Sequence, residues 1–133
     1  MTVLLDTNIL IDFFHDRPRS VALLKSLAES QFRISVLTLM EIVHGAYKTK
    51  TPDRYISEFK DFLTDFRVEI WLVDEEVSMR CGELMAVMEN RGKSLGVVDA
   101  LLAATALFHK CPIVSGDAAF GKIPGLDVYV AQT

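Results

Sequence analysis

A three-layer α/β/α fold, with helices on both faces of a mainly parallel five-stranded sheet, is what this 133-residue sequence predicts. Short apolar runs alternate with longer segments whose apolar residues recur at helical spacing, and short polar connections separate them. That alternation is the pattern of a parallel sheet covered on both sides. Two of the runs, Val3–Leu5 and Pro112–Ser115, carry apolar residues at successive positions, as strands buried on both faces must, and each leads directly into a polar turn bearing an Asp. The length suits one domain over residues 1–133, and no internal repeat divides it.

After the first strand, Asp6, Thr7 and Asn8 lead into a helix carrying Ile9, Leu10, Phe13 and Phe14. Asp6 therefore falls at a strand's carboxyl end, where open α/β sheets bind ligands; its plainer role is a helix cap. Asp16, Arg17 and Pro18 mark a break, and Val21, Leu23, Leu24 and Leu27 stripe a second helix. Arg17 beside that break is either a solvated surface charge or a phosphate contact. Phe32–Val36 reads as the second strand, followed by a helix with Leu39, Ile42, Val43 and Ala46 on its buried face. Thr38 and Glu41 have the spacing of a capping box, in which a Thr hydroxyl and a Glu carboxylate satisfy each other's free amides.

Thr51 and Pro52 start a fourth helix, aromatic from Tyr55 to Phe66. Rings at this spacing are read as core or interface ahead of a base-stacking platform. Val68–Val73 is the third strand, and Asp74 caps a long helix through Asn90. Gly96–Leu107 is then a helix of small and apolar residues, buried nearly all round, into whose first turn Asp99 brings a carboxylate. Such a charge complements the helix dipole but needs a partner, for which a metal ion is suited. Pro112–Ser115 and Leu126–Val130 complete the sheet.

Half of the residues are hydrophobic, which leaves apolar surface for a partner. The formal charge of −4 argues against a nucleic-acid ligand only while every acid is counted alike. Setting four clustered carboxylates aside leaves 14 acids against 14 bases, and bound divalent cations would neutralise the rest. Cys81 and Cys111 lie far apart and form no CxxC, so reduced packing residues of a cytoplasmic protein are expected. His15, His44 and His109 lack metal-ligand spacing. With no signal-peptide pattern and no apolar run near the roughly 18 residues that span a bilayer, no membrane association is expected.

Asp6 and Asp117 thus share one context, just past a buried strand, while Glu41 and Asp99 share another, near the start of a buried helix. Both contexts can face the same end of a parallel sheet. Four acids gathered there could not all stay ionised without cations, and oxygen ligands without Cys or His favour Mg²⁺ or Mn²⁺ over zinc.

With these segments the chain resembles the PIN-domain ribonucleases, and in length and layout the toxin component of a VapBC-type toxin/antitoxin pair. The resemblance rests on four stretches in order: Leu4 to Ile11 around Asp6-Thr7-Asn8, Ser35 to Ile42 with Glu41, Val98 to Ala106 with Asp99, and Ser115 to Phe120 with Asp117. It implies a PIN-like domain in which Asp6, Glu41, Asp99 and Asp117 are catalytic metal ligands, with Asn8 and Ser115 as supporting polar residues. Thr7 and Arg17 are the further candidates for support or substrate contact. Ala119 stands where family members often carry another acid, and Ser115 where Thr is more usual. The implied reaction is Mg²⁺- or Mn²⁺-dependent hydrolysis of RNA by metal-activated water. The implied partners are an RNA substrate, a cognate antitoxin and a second copy of the chain. Two rivals remain: an aspartyl-nucleophile phosphatase of haloacid-dehalogenase type, for which Asn8 lacks the required second acid, and a flavodoxin- or receiver-like binding module whose acids only cap helices.

Overall fold

The apolar runs at the two ends of the sequence pair with each other at the centre of the sheet. In a computed structural model, which describes residues 1–130, β1 (Thr2–Leu5) lies between β2 (Gln31–Ser35) and β4 (Ile113–Ser115). Beyond them lie β3 (Glu69–Trp71) and β5 (Val128–Val130), giving the order β3-β2-β1-β4-β5. Every pairing is parallel, so the mainly parallel sheet expected from sequence is parallel throughout. Residues 131–133, the last of the expected domain, lie outside the described residues.

Two-residue periodicity divides β1 between two cores. Val3 and Leu5 pack with Ile9 and Leu10 of α1 (Thr7–Phe14), Leu24 of α2 (Pro18–Ser26) and Phe59 of α4 (Pro52–Asp65). Leu39 and Ile42 of α3 (Val36–Tyr47) close the same side. Leu4 enters the opposite core, with Met88 of α5 (Glu75–Asn90) and Leu102 of α6 (Val97–His109). Three layers follow.

The aromatic helix α4 serves packing. Phe59 and Phe62 are buried, and Phe62 meets Phe14 and Phe66 with ring centroids 5.3 and 4.8 Å apart. The core reading holds for Phe59 and Phe62, while Tyr55 and Phe66 remain exposed. Asp74 caps α5 as expected, its Oδ1 accepting from the Val77 amide at 2.9 Å. Asp74→Ala is expected to cost about 1 kcal/mol in denaturant unfolding, the usual loss of such a cap.

Element ends depart from expectation at several places, and β5 keeps only Val128–Val130 of the expected Leu126–Val130. The second strand stops at Ser35, whose hydroxyl accepts from the Leu37 amide at 3.1 Å and starts α3 at Val36. Thr38 is then inside the helix, so the capping box with Glu41 does not form. β3 keeps only Glu69–Trp71 of the expected Val68–Val73, because the Val68 amide turns back to the Leu63 carbonyl at 2.9 Å and Leu72 projects into solvent at the sheet edge. α6 runs two residues past Leu107, to His109, and is less enclosed than expected since Val97 in its first turn is exposed. Cys81 and Cys111 are free and buried, and burial pushes the Cys111 thiol up to about 11. No helix among the described residues is long and apolar enough to cross a membrane.

Candidate active site

The site lies where the sheet changes direction. From β1 the chain passes to β2 and β3 on one side, and it returns to β4 and β5 on the other. Brackets of this kind open a crevice at the carboxyl ends of the central strands, which is the usual ligand position in parallel α/β sheets. Asp6 immediately follows β1 and sits in it.

Asp6 is only 3% exposed and occupies the cap position of α1, yet its side chain makes no capping bond to the helix. One oxygen, Oδ2, instead accepts from Ser115 Oγ at 2.7 Å. Ser115 is fully buried at the end of β4, 109 residues away in sequence, and its oxygen also accepts from the Asp117 amide at 2.9 Å. The β1–β4 pairing makes this possible, since the Asp6 amide bonds the Val114 carbonyl at 2.9 Å. Asp117 uses Oδ1 to cap the short 3-10 turn Ala118–Lys122, accepting from the Ala119 amide at 2.9 Å. Capping is thus a true role for this acid alone among the four.

Glu41 reaches the crevice from α3. Its Oε1 accepts from the Thr7 hydroxyl at 2.6 Å, and Thr7 Oγ1 lies 3.0 Å from Thr38 Oγ1. Thr38, read from sequence as a cap, therefore supports the Thr7–Glu41 contact. Asp99 stands in the first turn of α6, half-buried.

Asp6 and Asp99 are both shifted by burial and by other acids. Burial raises the Asp6 carboxyl above its ordinary value; the Ser115 hydroxyl and the Thr7 amide pull it down, and Asp99 and Glu41 push it up. Asp99 is likewise raised, first by burial and then by Asp117 and Glu41. The charges acting on both are all carboxylates. Arg17, exposed at the cap of α2, is not one of them, and Asn8 is exposed on the first turn of α1.

These donors suit a hard divalent cation. Among the described residues, no group of three or more His, Cys, Asp or Glu side chains is arranged to hold a metal ion by itself. Mg²⁺ does not ask for such a cage, because it retains several waters and is held by one or two carboxylates together with substrate phosphate. Buried Asp6 is a carboxylate of the kind such a cation takes, and among the described residues the charges that act on it are carboxylates.

A groove of about 330 Å³ runs between α1, α3 and α4, and Phe14, His15, Glu41, Tyr55 and Phe59 line it. It joins the acidic crevice to an apolar surface. The aromatic helical spacing signals apolar surface here, and His15, able from the end of α1 to approach the site, lies along the same groove as Glu41.

A parallel sheet with Asp6 and Asp117 just past its central strands, and with Glu41 and Asp99 acting on the Asp6 carboxyl, defines an α/β domain with acidic residues at its switch point. The PIN domain family model matches residues 3–126, and the chain belongs to that family. It is 30% identical over 129 residues to Ribonuclease VapC2 of Rickettsia felis, covering 95% of each chain. It is also 29% identical over 124 residues to the tRNA(fMet)-specific endonuclease VapC of Shigella flexneri, covering 92% of each. Among solved structures, VapBC2 of Rickettsia felis bound to a promoter DNA fragment contains a similar chain, with TM-score 0.88, 28% identity and coverage of 99% of this chain and 100% of that one.

Proposed function

We propose that the protein is a Mg²⁺- or Mn²⁺-dependent endoribonuclease and the toxin of a toxin/antitoxin pair. The observation that carries this is buried Asp6 at the sheet's switch point, raised by burial and by Asp99 and Glu41, with Asp99 in turn raised by burial and by Asp117 and Glu41 and no basic partner for either among the described residues. Relatives named as ribonucleases along nearly the whole chain support the substrate.

Asp6 and Asp99 would hold the cation, with Glu41 and Asp117 completing the acidic rim. When bound, the cation supplies positive charge to the phosphate and a water of lowered pKa. Ser115 holds Asp6 in place, Thr7 holds Glu41, and the free oxygen of Glu41 is available to orient the attacking water. Asn8 and Arg17, both exposed, are left for contacts to the RNA backbone. The acids are not explained as mere caps, since Asp6 and Glu41 cap nothing, and this disfavours the binding-module reading.

The groove beside Glu41 supports the partner assignment. Its apolar walls fit one face of an amphipathic helix, and an Arg carried on that helix could fork onto the carboxylates in place of metal. The protein acts as a homodimer in this reading. Purified protein is expected to fragment labelled structured RNA and leave a chromogenic phosphate monoester intact. The opposite result would make it a phosphatase. Induced expression alone should arrest growth, with relief when the neighbouring reading frame is co-expressed; absence of toxicity and a monomeric mass by light scattering would leave a free-standing nuclease.

A further inference from the structure

We infer that Arg91 and Lys93, in the connection between α5 and α6, hold the phosphate backbone of the RNA where it passes the acidic site. The inference rests on the nuclease reading and names two residues for a task that acids cannot perform. Carboxylates repel a polyanion wherever metal does not cover them, so a strand laid across the crevice needs positive charge close by. The chain as a whole does not provide it, since its formal charge is −4. What matters is which bases stand at this end of the sheet.

Packing places the connection there. Asp99 lies in the first turn of α6 and is raised by burial and then by Asp117 and Glu41, so α6 starts at the crevice. α5 ends at Asn90 and α6 begins at Val97, and the two pack together through Val77 and Cys81 against Ala100 and Ala104. Helices joined by so short a connection lie antiparallel, which puts the end of α5 beside the start of α6. The connection is also held in one shape. Gly92 takes a φ of +70°, its amide bonds the Glu89 carbonyl at 2.9 Å, and the Lys93 amide returns to the Met88 carbonyl at 2.9 Å. This paired closure fixes the near side, and Leu95, packed against both cores that α6 touches, fixes the far side. The backbone is thus ordered on folding, and RNA need not order it. Both side chains are exposed, and among the described residues neither joins an ion pair, whereas Arg33 and Arg54 are paired with Glu69 and Glu58. Neither base is among the charges that shift Asp99. Bases after a helix also complement its dipole, a role that would show in stability and not in the response to salt. Lys25 and Lys110 stand instead where helices give way to the starts of strands, at the opposite end of the sheet.

Cleavage of labelled single-stranded RNA at fixed Mg²⁺, with KCl varied, tests it. Two backbone contacts contribute roughly 1.4 to the slope of log kcat/KM against log salt, so Arg91→Gln with Lys93→Gln should lose about sevenfold more at about 50 mM KCl than at about 200 mM. Lys25→Gln with Lys110→Gln, which removes the same charge from the other end of the sheet, should keep the wild-type slope. Arg91→Lys, which retains the charge, should keep it too. RNAs of different sequence should suffer alike, because phosphate contacts do not read bases. Melting curves check the fold of each variant, and if the double variant does not fold, Lys93→Gln alone must give about half the change in slope. A double variant whose slope parallels the wild type, an equal change in the distal pair, or a loss confined to one sequence overturns the inference and leaves the nuclease reading standing. No cleavage of RNA by the wild type overturns both.

Discussion

Asp6→Asn is expected to reduce RNA cleavage by more than about 100-fold while leaving the chelated protein as stable as the wild type or more so. Groups that merely orient metal ligands already contribute 10–100-fold, so a ligand itself should exceed that. The stability half follows from burial. Asp6 is almost wholly enclosed and its carboxyl is raised, first because burial disfavours the charge and further because Asp99 and Glu41 repel it. An amide removes the charge yet still accepts the Ser115 hydrogen bond. Asp99→Asn should behave similarly, since that carboxyl is raised for the same leading reason. Single-turnover cleavage of labelled RNA and melting in chelator measure the two halves. Wild-type activity in either variant would remove that residue from the site.

The same shifts fix a dependence on pH. A carboxyl raised on folding binds protons more tightly in the native state than in the unfolded one. Its stabilising contribution is complete below the unfolded value near 3.8 and is lost as pH rises through the raised native value. In chelator, Asp6 and Asp99 should therefore make stability fall across that window. Saturating Mg²⁺ favours the ionised forms and should reverse the slope, so the Mg²⁺-induced rise in Tm should vanish on acidification. Melting curves at several pH values, with and without Mg²⁺, decide it.

Glu41→Gln is the second large effect expected, with most activity lost and the fold kept. Glutamine has the same shape and can accept from Thr7, so the local contact survives; what disappears is the negative charge. In a capping box the substitution would be tolerated in fold and activity alike, because Gln serves there as well. The structure has no such box, as Ser35 caps α3 and Glu41 is bonded to Thr7. Full Mg²⁺-dependent cleavage by Glu41→Gln would confine Glu41 to a structural role.

Much of this arrangement is legible in the sequence because strand ends and helix starts are local features. Val3–Leu5 stopping at Asp6, and Ile113 and Val114 stopping before Asp117, mark two carboxylates at strand ends without reference to any other part of the chain. What local pattern lacks is which strands become neighbours. Nothing near Asp6 signals that Ser115, 109 residues on, will bond its carboxylate, and that bond exists only because β4 pairs with β1. Thr38 misled for a related reason. Its spacing from Glu41 satisfied the capping rule, but Ser35 could cap the helix three residues earlier, and the freed Thr38 turned to Thr7 on another helix. That the apolar surfaces of α1 and α4 form one groove with Glu41 of α3 is likewise beyond local pattern, since three helices make it at once.

The central claim is that these four acids form a divalent-cation site that cuts RNA. It is tested most directly by incubating one labelled structured RNA with wild-type protein and with Asp6→Asn, purified identically, each in Mg²⁺ and in chelator. The account predicts discrete fragments from the wild type in Mg²⁺ alone, and intact RNA in the other three reactions. Equal cleavage in chelator, or equal cleavage by Asp6→Asn, would contradict it.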